Sequence, residues 1–367
     1  MIGIADPVIG EEEINSVNGV LVSGMLAQGP KVAELEKKWA EYCGTKHALA
    51  VNSGTAAIHS ALFAAGIRSG DEVITTPFSF IATINPIIML GAKPVLVDID
   101  RDTFNIDTTK IEAVITDKTK AIIPVHLYGQ PANMEVITNL AQKHNLSIIE
   151  DACQAIGAEY GGKKAGNLGS LGCFSLYATK NIMCGEGGII TTNNDEQAKL
   201  IRQFRQHGMS ASYQYEHLGY NYRLTDLQAA IAVEQLKKVD IFTKARQENA
   251  NFFDENLKNL AGITTPKIAD DRTHVYHQYT LVIDADCNIS RDDLVQDLRD
   301  KGIIAGVYYP QPLHHIEHIA RTTGYKVGDF PITEGLVKRV VSLPVHPKVT
   351  HKDRQTIVEA IKEIIHG

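Results

Sequence analysis

Little in this chain would carry it into or across a membrane. No apolar run reaches the roughly 20 residues that span a bilayer. The start, Met1-Ile2-Gly3-Ile4-Ala5-Asp6-Pro7, lacks the basic stretch and apolar core of a secretory leader. Cysteine is sparse and unpatterned: Cys43, Cys153, Cys173, Cys184 and Cys287 are odd in number and never fall in a CxxC spacing. That speaks against a disulfide framework or a zinc site and suits a reducing cytoplasm. Basic tracts are missing as well. A formal charge of −7 without an arginine- or lysine-rich block argues against a nucleic-acid surface. It leaves room for a few local donors that bind the phosphate of a small molecule. Neither a GxGxxG nor a P-loop pattern occurs, which disfavours a nucleotide-dependent oxidoreductase. There is no internal repeat and no low-complexity linker.

What is present is a chain of 367 residues, 44% apolar and 22% charged, enough for a large domain and a smaller one. Short apolar runs alternate with helical patterns from Lys46 to Thr192. Strands are expected at 48–51, 72–76, 94–97, 121–125, 147–150, 173–176 and 188–191, with helices at 55–65, 82–90, 109–115 and 134–144. Strands joined by crossover helices predict an α/β fold, a mostly parallel seven-stranded sheet covered on both faces, with ligands at the strands' carboxyl ends. A long helix over 224–260 is expected to link this large domain (1–240) to a small C-terminal α/β domain (241–367). In the latter, strands are expected at 277–283 and 304–308 and helices at 291–301 and 353–365.

The densest chemistry lies in Phe174-Ser175-Leu176-Tyr177-Ala178-Thr179-Lys180-Asn181, followed by Gly185-Glu186-Gly187-Gly188. Glycines let backbone approach a flat cofactor closely, and a lysine forms a Schiff base with an aldehyde when a dry pocket keeps part of it neutral. Alone, a loop lysine is usually just solvated. Ser53-Gly54-Thr55 opens a helix after the first strand, where free N–H groups suit a phosphate or an ordinary helix cap. Phe80 could lie against a flat ring, with Phe78 as its competitor and core packing as the alternative. Asp151 ends a strand, with Gln154 three residues on, and either caps a helix or keeps a pyridine nitrogen protonated. A phosphate turn, an aromatic, a strand-end aspartate and a lysine together are what pyridoxal phosphate (PLP) requires.

With these residues in place, the chain resembles the DegT/DnrJ/EryC1/StrS family of PLP-dependent sugar aminotransferases, of PLP fold type I. The likeness runs through Gln28-Gly29-Pro30, Asn52-Ser53-Gly54-Thr55, Glu150-Asp151-Ala152-Cys153-Gln154-Ala155, Ser175 to Gly188, Gly219-Tyr220-Asn221-Tyr222-Arg223 and Tyr309-Pro310-Gln311-Pro312-Leu313-His314. It implies Lys180 as the catalytic Schiff-base residue, Asp151 on the pyridine nitrogen, Phe80 stacked on the ring and Gln154 at the 3-oxygen side. Ser53, Gly54, Thr55 and Ser175 would surround the phosphate, reached also by Asn221 of a second chain in a homodimer with shared sites. Cys153 stands where the family commonly has alanine and is expected to be structural. For the nucleotide-diphosphate keto sugar, the resemblance points to Met25, Leu26, Ala27, Gln28, Tyr308, Tyr309 and His314. Arg223 is a candidate for the carboxylate of an L-glutamate donor or for the sugar-nucleotide phosphates, or else makes a surface ion pair.

Relatives that act as sugar dehydratases carry histidine in place of the lysine, so Lys180 favours transamination. A cyclitol acceptor and a non-catalytic regulatory role are the other readings. Gly185-Glu186-Gly187-Gly188 resembles 4-keto more than 3-keto enzymes. His314-His315-x-Glu317-His318 lacks the spacing of a metal motif, and no metal is expected. His207 either lines the site or is structural.

Overall fold

The computed structural model describes residues 1–366. Its main sheet contains β1 (His47–Val51), β2 (Glu72–Thr75), β3 (Lys93–Leu96), β4 (Thr119–Ile122), β5 (Ser147–Asp151), β6 (Leu171–Ser175) and β7 (Gly188–Thr192). The order across the sheet is β1-β7-β6-β5-β4-β2-β3. β7 runs antiparallel to both neighbours, and the pairings from β6 through β5, β4 and β2 to β3 are parallel. All seven expected strands are present, displaced at most by a few residues. Helices α1 (Glu11–Ser23) and α2 (Pro30–Cys43) precede the sheet, α3 (Gly54–Ala64), α4 (Asn85–Met89) and α5 (Met134–His144) connect its strands, and α6 (Asp195–Phe204) follows the last of them.

Three expected helices are corrected. The helix over 82–90 is a 3-10 turn at Ile81–Thr83 followed by α4, because Pro86 in the first turn of α4 has no N–H to continue a helix from the preceding turn. The segment 109–115 is two 3-10 turns interrupted at buried Ile111. The long helix over 224–260 is two, α7 (Asp226–Leu236) and α8 (Val239–Leu257). At the break Lys238 turns its ammonium onto α1, 2.6 Å from Glu13 and 3.3 Å from Glu12. Asp226, at the start of α7, caps α2: its carboxylate accepts from Gly29 N (2.8 Å), Val32 N (3.0 Å) and Lys31 N (3.1 Å). Pro30 between them has no donor to satisfy.

Beyond α8 a second core forms around β8 (Ile263–Thr264), β9 (Tyr279–Ile283) and β10 (Val340–Leu343). It is flanked by α9 (Arg291–Asp300) and α12 (His351–His366), while α10 (Glu317–Thr323) and α11 (Pro331–Leu336) lie between. The strand expected at 304–308 is absent; only Gly306 pairs, with Ser342. There the chain instead bends so that a Cβ on Gly306 would come within 2.5 Å of the Tyr308 ring. The separate cores support the division near residue 240 that we propose as the domain boundary.

Successive side chains on β5 point to opposite faces. Asp151 faces the carboxyl-end cavity, while Glu150 is buried the other way and accepts from Gly166 N (2.7 Å), Leu168 N (2.8 Å) and Gly169 N (2.7 Å). His126 lies 3.1 Å from the same carboxylate. Replacing Glu150 by Gln puts an NH2 where an acceptor is needed. Glu150→Gln is expected to lower unfolding stability by about 2–4 kcal/mol, read from urea denaturation followed by circular dichroism. An unchanged midpoint would show that these amides find other acceptors.

Candidate functional site

At the carboxyl edge of the sheet opens a cavity of about 710 Å³. Its walls come from the turns after β1, β2, β5 and β6 and from the second core, where open α/β sheets place their ligands.

One end is a cradle of hydrogen-bond donors. Ser53 caps α3, its Oγ accepting from Ala56 N at 3.1 Å. The N–H groups of Gly54 and Thr55 have no partner among the described residues. Ser175 Oγ accepts from Tyr177 N (3.3 Å), which leaves its own proton free to donate. The cradle closes tightly: a Cβ on Gly54 would lie 2.9 Å from Ser175 Cβ and 3.2 Å from Cys153 Sγ. The unpaired amides and the positive end of the α3 dipole favour a phosphate.

The middle of the cavity suits a flat heteroaromatic ring. Phe78 is fully buried in the core, whereas Phe80 is 56% exposed and lines the cavity. This resolves the competition between them. Phe80 and Tyr309 face each other with ring centroids 6.1 Å apart. Gln154 is fixed from both sides, its Oε1 accepting from Tyr128 N (2.9 Å) and its Nε2 donating to Tyr309 Oη (3.0 Å). Asp151 is buried and accepts from Thr83 Oγ1 at 2.7 Å, while Thr83 and Ser79 share a further hydroxyl contact of 2.7 Å. No Lys or Arg pairs with Asp151 among the described residues. A buried carboxylate with a fixed hydroxyl and no cation is a fitting partner for a pyridinium N–H.

Lys180 enters from a loop closed at its base by Leu176, which donates to Gly187 O (2.8 Å) and accepts from Cys184 N (2.9 Å). The lysine's own N–H bonds back to Tyr177 O at 2.9 Å. The side chain is half-buried, and its ammonium makes no hydrogen bond or ion pair among the described residues. Burial lowers its pKa, against the opposing influence of Cys153 and Asp151. The result is an amine biased toward its neutral, nucleophilic form.

Ser53, Gly54, Thr55, Phe80, Asp151, Gln154, Ser175, Lys180, Tyr308 and Tyr309 therefore share one cavity. Met25, Leu26, Ala27, Gln28, Asn221 and Arg223 do not line it, and Met25, Leu26, Ala27 and Asn221 are exposed. His314 is not on its wall either: it is buried with Nε2 2.9 Å from Glu334 Oε1. His207 is exposed and away from the cavity. His314, His315 and Glu334 come close enough to suggest a metal cluster. The Glu334 carboxylate, however, already accepts from Gly328 N (2.8 Å) and Phe330 N (3.3 Å). Cys153 lines the cavity while its Sγ donates to Cys173 O at 3.7 Å, and burial pushes its thiol far up, away from thiolate. Sequence reading did not pick out Thr83, Ser79, His277 or Gln278. Thr83 and Ser79 sit within reach of Phe80, and their hydroxyls were the available signal.

A profile of the DegT/DnrJ/EryC1/StrS aminotransferase family matches residues 7–362. The chain belongs to that family. This aminotransferase is 41% identical to the spore coat polysaccharide biosynthesis protein SpsC of Bacillus subtilis, over 98% of this chain and 96% of SpsC. It is also 41% identical to GDP-perosamine synthase of Caulobacter vibrioides, over 92% and 91% of the two chains. Among solved structures, the PLP-form of Spr1654 from Streptococcus pneumoniae superposes with a TM-score of 0.92 at 27% identity, covering 99% of this chain and 98% of the other. Fold type I, expected from the resemblance, is thereby the fold of this sugar aminotransferase, and family membership implies PLP as its cofactor.

The donor cradle, the exposed aromatic, the uncompensated Asp151 and the neutral-biased Lys180 all fit that cofactor. Gly54→Ala is expected to drive a methyl group into Ser175 and weaken retention of PLP by tenfold or more, about 1.4 kcal/mol. Equilibrium dialysis against PLP measures this, and wild-type retention would remove the cradle from the phosphate site.

Proposed function

We propose that this enzyme moves an amino group, with L-glutamate as donor, to the ketone of a nucleotide-diphosphate keto sugar, the 4-keto position being favoured over the 3-keto. The products would feed amino-sugar and surface polysaccharide synthesis in the cytoplasm. The observation that carries this reading is Lys180, an unpaired amine beside Asp151, Phe80 and the α3 amides in one cavity.

PLP, when bound, supplies an aldehyde that condenses with amines and a ring that draws electrons from the adjoining carbon. Asp151, oriented by Thr83, would hold the ring nitrogen protonated. Ser53, Gly54, Thr55 and Ser175 would hold the phosphate, Phe80 would cover one ring face, and Gln154 would meet the 3-oxygen side. Lys180 Nζ, once free, takes a proton from the donor's α-carbon and returns one in the reverse half-reaction with the sugar. Lysine at 180 is the observation that favours transamination over the dehydratase reading.

The second subunit enters through Asn221. Its exposure and its position outside its own cavity support a reach into the partner's phosphate site, giving a homodimer with shared sites. Tyr308 and Tyr309, on the cavity wall, and Met25 to Gln28 and Arg223, outside it, remain the candidates for the donor and the sugar nucleotide, whereas buried His314 is held by Glu334 and drops out.

Two measurements test this reading. Lys180→Ala is expected to lower turnover by on the order of 10³-fold or more on a panel of UDP-, dTDP- and GDP-linked keto sugars. Turnover near the wild-type rate would overturn it. Asn221→Asp should also be impaired, and co-expressed Lys180→Ala/Asn221→Asp dimers should recover about half the wild-type activity through one intact site. No recovery would refute sharing.

A further inference from the structure

His277 stands at the entry to β9, on the cavity wall that also carries Lys180. Its surroundings are unusually fixed. Val275 N donates to Gly129 O (3.0 Å) and Gln278 N to Tyr128 O (3.2 Å), so the second core is stitched to the turn after β4 on both sides of it. Tyr276 between them adopts φ 44°, a backbone region costly for a bulky residue. Strain of this kind persists only where the surroundings enforce it.

The hydrogen bonds fix a tautomer. Asn181, directly after Lys180, donates its Nδ2 to Val275 O at 3.0 Å. Its Oδ1 must then be the acceptor toward His277 Nδ1, 3.3 Å away. His277 Nδ1 therefore carries the proton, and Nε2 offers a lone pair. Nε2 has no partner among the described residues and is not among the sealed, unsatisfied atoms, so on a residue only 7% exposed it opens on the cavity. Burial, with the positive charges of Lys180 and Arg246 nearby, holds the imidazole well below its usual pKa. Arg246 contributes from α8, donating to Tyr276 O (3.0 Å) and His277 O (3.4 Å). The groups facing Lys180 are Asp151 and Cys153 from the end of β5, Glu186 and Thr179 from its own loop, and Tyr309 and His277 from the second core. Arg246, His346 and Asp6 lie behind the loop. Asp151 would be committed to the ring nitrogen and Cys153 is a thiol, whereas His277 presents an unpaired neutral acceptor on that wall.

We propose that His277 is a positioning residue for Lys180, its Nε2 accepting a hydrogen bond from the lysine when that amine is free and protonated. The inference rests on the reading of Lys180 as the reacting amine. The strained turn at Tyr276 and the Asn181 bond keep the acceptor lone pair aimed at the cavity, and the small domain thereby sets where the lysine's proton is held between half-reactions.

Two amide replacements separate this role from a packing role. Asn at 277 reproduces the Nδ1 donor toward Asn181, and Gln reproduces an acceptor at the Nε2 position. The readout is the pH dependence of Lys180 acetylation in cofactor-free full-length protein, followed by competitive labelling with acetic anhydride and mass spectrometry of the Lys180 peptide. His277→Asn should lower the titration midpoint of Lys180 by about one pH unit, since an acceptor stabilises the ammonium. His277→Gln should stay near wild type. Asn181→Ala, which unlocks the tautomer, should move the midpoint the same way as His277→Asn and stands in if that variant does not fold. In the holoenzyme, His277→Asn should lower kcat with L-glutamate while leaving KM within about twofold. A wild-type midpoint in both His277→Asn and Asn181→Ala overturns the proposal, as does a midpoint moved by Gln but not by Asn. The labelling uses no substrate, so its result stands whether or not any keto sugar is aminated.

Discussion

The site depends on how closely the start of α3 presses onto the ends of β6 and β7. Gly188 pairs with Val51 of β1 on one side and Ser175 of β6 on the other. A Cβ there would fall 2.3 Å from Ser53 O and 3.0 Å from Gly54 N. Gly54 is equally confined by Ser175. Only this glycine-on-glycine contact lets the first turn of α3 come down over the carboxyl ends of β1 and β6 and the amino end of β7. With that approach, the free amides of α3, the Ser175 hydroxyl and the base of the Lys180 loop form one wall. A side chain at Gly188 would lift the helix and open the cradle. The antiparallel β7 is part of the same device. It returns the chain directly beneath α3, and the Lys180 loop closes between β6 and β7.

The second constraint is electrostatic. Asp151 and Lys180 share a partly dry cavity yet make no ion pair with each other or with any other described residue. A direct pair would fix the lysine as an ammonium and occupy the carboxylate. Each group is instead held by neutral partners: Asp151 by Thr83, and the lysine by a loop fixed through backbone bonds and the side chain of Asn181. Burial then biases the amine toward reactivity. The carboxylate next door on β5, Glu150, takes the opposite course and is held by three backbone N–H groups and His126, so it fixes the strand and leaves the chemistry to Asp151.

Legibility from sequence followed the range of the forces involved. The seven strands were readable because buried parallel strands appear as apolar runs, and Lys180, Asp151, Ser175 and Thr55 because each follows such a run directly. The helix over 224–260 was misread because the pattern stays helical through Lys237 and Lys238. The break falls at Lys238, whose ammonium reaches Glu12 and Glu13 of α1, a contact that no local pattern carries. The strand expected at 304–308 fails for a like reason: only Gly306 pairs, with distant Ser342, and the chain bends there against the Tyr308 ring. Thr83 and His277 escaped notice because their roles come from side-chain bonds to Asp151 and Asn181, 68 and 96 residues away in sequence. No local pattern encodes such contacts.

The cavity is built unequally from its inner to its outer end. Its inner part is finished by one chain: cradle, ring platform, aspartate and lysine are all fixed by contacts within the subunit. At the outer end, Phe80 and Tyr177 remain largely exposed, and Met25 to Ala27 and Asn221 lie on the surface away from it. Groups that serve every turnover are thus set by short, rigid elements, while Met25 to Ala27, among those proposed to meet the sugar nucleotide, sit on an exposed turn. Turns tolerate substitution far better than a glycine contact at the end of three strands. Such a division lets one inner geometry serve different acceptors, because changing the outer turns alters which sugar is held without moving Lys180 relative to Asp151.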